Sequence, residues 1–193
     1  MNYRKAIVDA GIKLYNTKLV AGTSGNISIK ENDDSFFITP SGMDYHKIKE
    51  SDIVRIHADG RVYDNNQTPS SEWMMHLEVY KNYENYNAIV HTHSTIATAF
   101  AVSRVEIPII LIEMKPFLGG ALKVAPFRPA GSKELAEVTI PYLKDANSCL
   151  LANHGVISCA DTIDKALLSA EYVEDAAKIY YHSRLIGDPF ILE

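Results

Sequence analysis

Helical and strand patterns alternate along the whole sequence of 193 residues, and no internal repeat, low-complexity tract or Pro/Gly/Ser-rich linker interrupts them. This alternation predicts an α/β fold in which helices cover a central sheet. A chain of this length with 47% hydrophobic residues lies within the size range of one globular domain. We therefore expect residues 1–193 to form a single domain around one core.

The charge distribution argues against two classes of partner. The formal net charge is -5, and no run of Lys or Arg is long enough to follow a row of phosphates, so neither nucleic acid nor an anionic membrane is an expected partner. The segment MNYRKAIVDAGIKLY has charges within its apolar pattern, which is typical of an amphipathic helix and not of a signal peptide. No stretch approaches the roughly 20 apolar residues of a membrane span. These features predict a cytoplasmic protein.

Turn residues and hydrophobic periodicity divide the sequence into predicted elements. The first helix is expected from about Tyr3 to Thr17. A helix in SSEWMMHLEVYKNY is expected to be capped by Ser70 or Ser71, with Glu72 in its first turn, and a helix in STIATAFAVS is expected to be capped by Ser94. Further strands are predicted around NISIK, SFFIT, DIVRIHA, NAIVHTH, LKVA and SCLLA, with helices from about Ser132 to Leu143 and through DTIDKALLSAEYVEDAAKIYYHSRL. The two cysteines, Cys149 and Cys159, are expected as buried, unpaired thiols.

Three histidines and one glutamate suggest a metal site. His91 and His93 stand two positions apart on a predicted strand, so both imidazoles can project from one face and reach one ion. Such a pair alone is more often ordinary polar strand residues. His154 follows an apolar strand at a His-Gly turn, and Glu72 adds a carboxylate, although a glutamate near a helix start is also favoured by the helix dipole. Three imidazoles and a carboxylate are the donor set of a catalytic zinc site.

Three short segments have the composition of anion-binding loops: GTSGN at 22–26, TPSG at 39–42 and PSS at 69–71. Each offers small residues, hydroxyl groups and accessible backbone N–H groups. Any one of them is more often a simple turn or cap, because Gly, Ser and Thr are common turn residues. Together with a metal site, they predict a phosphate pocket.

The ordered series GTSGNIS, TPSGMDY, PSSEWMMH, VHTH and ANHGV resembles the class II aldolase family, which includes L-fuculose-1-phosphate aldolase and L-ribulose-5-phosphate 4-epimerase. The resemblance extends from about Ala6 to Pro189. It implies a three-layer α/β/α sandwich around a mostly antiparallel or mixed sheet. It also implies a C4 homotetramer whose active sites lie at subunit boundaries.

The resemblance also implies residue roles. His91, His93 and His154 correspond to the zinc ligands of the family, and Glu72 to the acid/base that also approaches the metal. Mn²⁺, Fe²⁺ or Co²⁺ could replace Zn²⁺, because imidazole and carboxylate ligands discriminate poorly among divalent ions. The positions matching the phosphate site are Asn26, Ser41, Gly42, Ser70 and Ser71, with Thr23 as a weaker match.

The implied reaction is the metal-dependent retro-aldol cleavage of a ketose 1-phosphate, such as L-fuculose 1-phosphate or a related pentulose or deoxypentulose 1-phosphate. The products would be dihydroxyacetone phosphate and a short aldehyde, and Glu72 would return a proton to the enediolate. The family places a tyrosine on the aldehyde side, between Pro108 and Gly119. Here the segment is PIILIEMKPFLG, and Glu113 or Lys115 is expected to take its place.

Three alternatives stay open: a 4-epimerase acting on L-ribulose 5-phosphate, a dehydratase acting on methylthioribulose 1-phosphate, and a non-catalytic sugar-phosphate-binding protein stabilised by zinc. Epimerase relatives generally carry aspartate at the position of Glu72, so this residue favours net aldolase activity. Retention of Glu72 also argues against a purely structural ion. The remaining histidines are expected to be surface, loop or structural residues: His46, His57, His182 and His76, which shares its predicted helix with Glu72.

Overall fold

The computed structural model describes residues 2–63 and 67–193. Within these residues the chain forms six α-helices and seven β-strands, with short 3-10 turns at Glu50–Asp52 and Ile140–Leu143. The helices are α1 (Tyr3–Asn16), α2 (Trp73–Asn82), α3 (Thr95–Ser103), α4 (Met114–Leu118), α5 (Lys133–Thr139) and α6 (Ile163–Ile186). The strands are β1 (Asn26–Asn32), β2 (Ser35–Ile38), β3 (Val54–His57), β4 (Ala88–Thr92), β5 (Val124–Ala125), β6 (Ser148–Leu151) and β7 (Gly155–Ala160).

The seven described strands form one sheet in the order β3-β2-β1-β4-β7-β6-β5. Neighbouring strands run antiparallel except β5 and β6, which are parallel. The expected mostly antiparallel or mixed sheet is therefore confirmed. The central strand, β4, pairs with β1 so that His91 lies opposite Asn26, and the site described below is built around this pair.

Helices cover both faces of the sheet, which confirms the three-layer α/β/α arrangement. Strand β4 shows why: successive side chains of a strand point to opposite faces. Ala88 and Val90 pack in a core with α1 and α6, and α3 and α4 join α6 on the same side. Ile89 packs on the other face in a core that includes α2 and α5. His91 shares that face, because it lies two positions from Ile89.

The predicted cap of α2 was wrong, and the predicted cap of α3 was right only in the position of its N-cap residue. Helix α2 begins at Trp73 with Glu72 as the N-cap residue, so neither serine caps it and Glu72 precedes the first turn. The cause is a tight turn before the helix, in which Ser70 Oγ accepts from the Glu72 N–H at 3.3 Å and Ser70 O accepts from Trp73 N at 3.1 Å. Ser94 does occupy the N-cap position of α3, but its hydroxyl makes no capping hydrogen bond.

A carboxylate from a distant helix caps α3 instead. Glu174 of α6 is only 4% exposed and accepts from Ala97 N at 3.0 Å and from Ile96 N at 3.2 Å. Lys178 lies 3.5 Å from the same carboxylate. The hydrogen bonds of Glu174 fix α6 to the beginning of α3, which follows His93 closely in the chain.

Both cysteines lie buried and unpaired, Cys149 in β6 and Cys159 in β7, as predicted. Across residues 2–63 and 67–193, we find no helix with the length and apolar character needed to cross a membrane.

Candidate metal centre and active site

Glu72, His91, His93 and His154 converge on one point, and their ligand atoms all lie within 4.8 Å of one another. The Nε2 atoms of His91 and His93 are 3.0 Å apart. Glu72 Oε2 lies 3.0 Å from His91 Nε2, and Glu72 Oε1 lies 3.1 Å from His154 Nε2. The structure thus brings together the four residues that the sequence suggested as a group.

The convergence depends on the turn between β6 and β7. Asn153 has a φ of 55°, a left-handed conformation that Asn adopts more readily than most residues. Gly155 follows His154, and a Cβ atom at this position would lie 2.2 Å from Thr92 O and 2.9 Å from His93 Cδ2. A glycine at 155 is therefore required for β7 to pass beside the ligand side chains. The glycine of the motif NHG was the sequence signal for this requirement.

The residues fit a divalent cation. His91 Nδ1 donates to Val156 O at 2.8 Å, which directs Nε2 toward the other ligands, an arrangement common to metal-binding histidines. Glu72 Oε1 is buried, and among the described residues it meets only His154 Nε2, which is itself one of the converging ligand atoms. Three imidazoles and one carboxylate with converging lone pairs form a donor set suited to zinc and accessible to other first-row divalent ions.

Electrostatics keep the carboxylate ionised. Burial raises the pKa of Glu72, but the charges and hydrogen bonds of His91 and His154 outweigh burial and hold that pKa below its usual range. Burial lowers the pKa of His91, but the Glu72 carboxylate more than compensates, and the net direction is upward. Burial and the neighbouring histidines His91 and His154 lower the pKa of His93 to about 4, so its ring is neutral at pH 7.

A second group of polar side chains lies directly behind Glu72. Asn26 Nδ2 donates to Glu72 Oε2 at 2.9 Å, and Asn26 Oδ1 lies 2.5 Å from His76 Nε2. Ser28 Oγ lies 2.6 Å from His76 Nδ1 and 2.6 Å from Tyr80 Oη. His76 is thus a fully buried residue held at both ring nitrogens. The link from His76 to Glu72 was not predicted; its signal in the sequence was the four-residue spacing of Glu72, His76 and Tyr80.

The three segments with anion-binding composition lie side by side. Thr39 N donates to Ile27 O at 3.0 Å, and Ser70 N donates to Thr39 O at 3.0 Å. Pro40 and Pro69 form an isolated bridge between the second and third segments. Of the residues predicted to bind phosphate, Asn26 and Ser70 are buried, and the others are exposed: Thr23, Ser41, Gly42 and Ser71. Their roles stay predictions, although hydrogen bonds link Asn26 and the segment 39–42 to residues at the start of α2.

The two residues expected on the aldehyde side lie elsewhere in this chain. Glu113 is the N-cap residue of α4, and Lys115 lies within that helix, on the sheet face opposite α2. The Lys115 ammonium contacts the backbone carbonyl of Glu193 and borders a 560 Å³ cavity that none of the four candidate metal ligands lines. Within the described part of this chain, neither residue forms a hydrogen bond or ion pair with those ligands, and their role stays a prediction.

Three other histidines lie away from the site, as expected. His46 is exposed and contacts the Tyr15 ring edge-on at 4.5 Å between centroids. His57 lies 2.9 Å from Asp59 in a surface turn, and His182 is exposed on α6.

Comparison with known proteins agrees with this geometry. Residues 5–181 match the family described as the Class II Aldolase and Adducin N-terminal domain. The chain is 39% identical over 190 residues to a 5-deoxy-D-ribulose 1-phosphate aldolase of Bacillus thuringiensis serovar kurstaki, covering 98% of this chain and 89% of that one. It is 35% identical over 185 residues to the L-fuculose phosphate aldolase of Escherichia coli K12, covering 96% and 85%.

A solved structure of an L-fuculose 1-phosphate aldolase superposes with a TM-score of 0.95 at 37% sequence identity, covering 99% of this chain and 90% of that one. The sequence match, the shared fold and the cluster of three histidines with a glutamate agree. The chain belongs to the family of class II aldolase and adducin N-terminal domains.

Proposed function

We propose that this protein is a metal-dependent class II aldolase that cleaves a ketose 1-phosphate to dihydroxyacetone phosphate and a short aldehyde. The observation that carries the proposal is the position of Glu72: its two oxygens lie 3.0 and 3.1 Å from two of the three converging histidines. L-fuculose 1-phosphate and 5-deoxy-D-ribulose 1-phosphate are the leading substrates, because relatives that are 35% and 39% identical are named for them.

The proposed cation is held by His91, His93, His154 and Glu72, with zinc as the leading ion and Mn²⁺, Fe²⁺ or Co²⁺ as alternatives. When bound, it supplies a Lewis acid for the substrate carbonyl. His91 contributes Nε2, because its Nδ1–H is used by Val156 O. The neutral ring of His93 offers a free lone pair at pH 7.

Glu72 carries the proton transfer. Its Oε2 accepts from Asn26, whereas Oε1 faces His154 Nε2 at 3.1 Å and the converging histidines, so Oε1 is the oxygen that we assign to the proton exchange. In the condensation direction, Oε1 takes a proton from the carbon next to the carbonyl of dihydroxyacetone phosphate. In the cleavage direction, the hydroxyl that becomes the aldehyde loses one proton, and Glu72 in its protonated form gives one proton to the same carbon. The lowered pKa of Glu72, caused by His91 and His154 against the effect of burial, keeps the carboxyl group ionised, which is the form that can accept a proton.

The substrate phosphate is assigned to the three adjoining loops, with Asn26, Ser41, Gly42, Ser70 and Ser71 as its main contacts and Thr23 at the periphery. Ser41, Gly42 and Ser71 support this assignment because they are exposed in the two loops that meet at the buried Ser70, two residues before Glu72. The amide of Asn26 donates one hydrogen to Glu72 and keeps a second for an anion. We assign the aldehyde end to Glu113 or Lys115 of a neighbouring subunit, since neither reaches the site in its own chain.

The wider proposal is a cytoplasmic enzyme in which residues 1–193 form one domain and four copies form a C4 ring. A shared site is consistent with the large apolar side chains exposed on α6 and beyond it, including Leu185 at 70% and Ile186 at 89%. A stable monomer at micromolar concentration would contradict the ring.

The test is a coupled assay for dihydroxyacetone phosphate, with zinc-loaded and chelated protein given fuculose 1-phosphate, 5-deoxyribulose 1-phosphate and ribulose 1-phosphate. We expect metal-dependent release from at least one sugar. Glu72→Gln should lower kcat by about 100-fold or more, whereas Glu78→Gln on the same helix should leave it unchanged. Full activity of Glu72→Gln would refute the proton-transfer role. Failure with every ketose 1-phosphate would favour the 4-epimerase or the dehydratase.

A further inference from the structure

Four buried side chains form a continuous line of hydrogen bonds that ends on the Glu72 carboxylate. The line runs from Tyr80 to Ser28 (2.6 Å), to His76 (2.6 Å), to Asn26 (2.5 Å) and to Glu72 Oε2 (2.9 Å). All five residues are between 0% and 6% exposed. Burying polar groups costs free energy unless each group is hydrogen-bonded, whereas apolar side chains carry no such cost. Five polar residues buried in one line therefore suggest a functional role.

The line exists because a helix and a strand remain in step. Glu72 is the N-cap residue of α2, and His76 and Tyr80 follow it at intervals of four residues, an interval that rises about 6 Å along a helix. Asn26 and Ser28 are two residues apart on β1, which rises about 6.6 Å over that interval. The strand residues therefore fit between the helix residues, and each side chain meets a partner from the other element.

The negative charge of Glu72 determines which group is the donor in each hydrogen bond of the line. An ionised carboxylate only accepts, so the Asn26 amide nitrogen faces it and the Asn26 oxygen faces His76. That oxygen requires a proton on His76 Nε2. Burial, followed by the charge of His91, lowers the pKa of His76 to about 3, so the ring carries only one proton and its Nδ1 must accept from the Ser28 hydroxyl. Ser28 in turn accepts from the Tyr80 hydroxyl.

The line does not conduct protons, because the amide of Asn26 cannot pass a proton from His76 to Glu72. Its hydrogen bonds can instead orient the Glu72 carboxylate. It fixes the Asn26 amide, which holds Oε2 and thereby presents Oε1 to the converging histidines. We propose that His76 is a positioning residue that holds Glu72 in its catalytic orientation through Asn26, with its own tautomer set by Ser28 and Tyr80. This inference rests on the proposed aldolase function.

Three substitutions of His76 separate this role from simple packing. His76→Leu removes the donor to Asn26 and should lower kcat by about 10-fold to 100-fold, the usual cost of losing a group that orients a metal ligand. KM should rise by less than kcat falls, because Asn26 is the proposed phosphate contact that His76 touches and the contacts from the other two loops are unchanged. His76→Gln places an amide N–H near the Nε2 position and should restore most of kcat. His76→Asn reaches only the Nδ1 position and should not.

Metal content and stability are measured alongside the kinetics, with the exposed His182→Leu as the control expected to match the parent. If His76→Leu folds poorly, Ser28→Ala provides the test, because it removes only the hydroxyl that fixes the tautomer, and kcat should fall by about tenfold. Parental kcat in His76→Leu or in Ser28→Ala, or equal kcat in the Gln and Asn variants, would overturn the proposal.

A readout independent of turnover is the tautomer of His76, observed by ¹⁵N NMR of the metal-free parent protein. We expect the proton on Nε2 and none on Nδ1; the reverse assignment overturns the proposal. A parent protein that cleaves no ketose 1-phosphate would count against the proposed function, and the NMR result would still decide the tautomer and the direction of the line.

Discussion

Replacing Glu174 with alanine should destabilise the protein far more than a typical surface change. The carboxylate is 4% exposed and accepts from Ile96 N and Ala97 N, the two donors that a helix N-cap normally satisfies. A hydrogen bond to a charged group contributes about 1.5–3 kcal/mol, and an unsatisfied buried donor costs a similar amount. Ser94 occupies the N-cap position with an unused hydroxyl, which can turn toward the same donors and recover part of the loss.

The expected net cost is therefore about 2–3 kcal/mol. For a chain of this size, that corresponds to a fall in Tm of about 4–12 °C. The assay is thermal unfolding of metal-loaded protein at one fixed concentration. Glu171→Ala is the matched control, because Glu171 lies on the same helix and pairs with Lys13 at the surface at 2.8 Å, an interaction worth less than about 1 kcal/mol.

Ser94 makes the prediction sharper. Ser94→Ala alone should change stability little, because its hydroxyl caps nothing in the parent protein. In the Glu174→Ala background the same change should cost about a further 1 kcal/mol, since Ser94 is then the acting cap. A Tm for Glu174→Ala within 2 °C of the Glu171→Ala control, or strictly additive effects of the two substitutions, would refute this account of α3.

Three further predictions concern the site. Gly155→Ala should lower the metal content of the purified protein at least about tenfold, because its Cβ would lie 2.2 Å from Thr92 O. Elemental analysis measures this, and Gly187→Ala, where a Cβ meets nothing within 4 Å, should retain the metal. Chelation should lower folding stability by about 2.7 kcal/mol relative to protein with cation at 100 times its Kd, and re-added zinc should restore it; identical unfolding curves would argue against the metal site. The buried ring of His76, with a pKa of about 3, binds no proton in the folded protein at a pH where the unfolded chain does. The free energy of unfolding should therefore fall as pH drops below about 6.5. In denaturant titrations at pH 7 and pH 5, the fall should be smaller in His76→Gln than in the parent protein, by up to about 2 kcal/mol.

The parts of the site that follow from local periodicity could be predicted from the sequence. His91 and His93 are two residues apart beside a strand end, and the structure places their Nε2 atoms 3.0 Å apart. The apolar pattern likewise predicted a central sheet with covering helices and both buried cysteines, whereas the mostly antiparallel or mixed arrangement of the sheet was implied by the family resemblance. The helix starts were less predictable. A serine before a helix predicts a side-chain cap, but neither Ser70 nor Ser94 provides one, because a tight turn and a distant carboxylate satisfy those donors.

Contacts between residues far apart in the sequence could not be predicted in the same way. Glu174 is 77 residues from Ala97, and no local pattern connects them. The link from His76 to Asn26 spans 50 residues and depends on α2 lying over β1 rather than over another strand. Once that pairing is known, the four-residue spacing on the helix and the two-residue spacing on the strand become informative. The sequence alone supplies both spacings but not the pairing.

The pairing of β1 with β4 and of β4 with β7 also determines when the site can form during folding. Asn26 and Glu72 are 46 residues apart, and His91 and Val156 are 65 residues apart, so each contact closes a long loop. Contacts of this kind form slowly, because the entropy of loop closure is lost before the contact stabilises the chain. The ligands can therefore meet only after the centre of the sheet has assembled. A cation added during refolding should leave the folding rate unchanged and slow unfolding, because it binds the native state and not the transition state for folding.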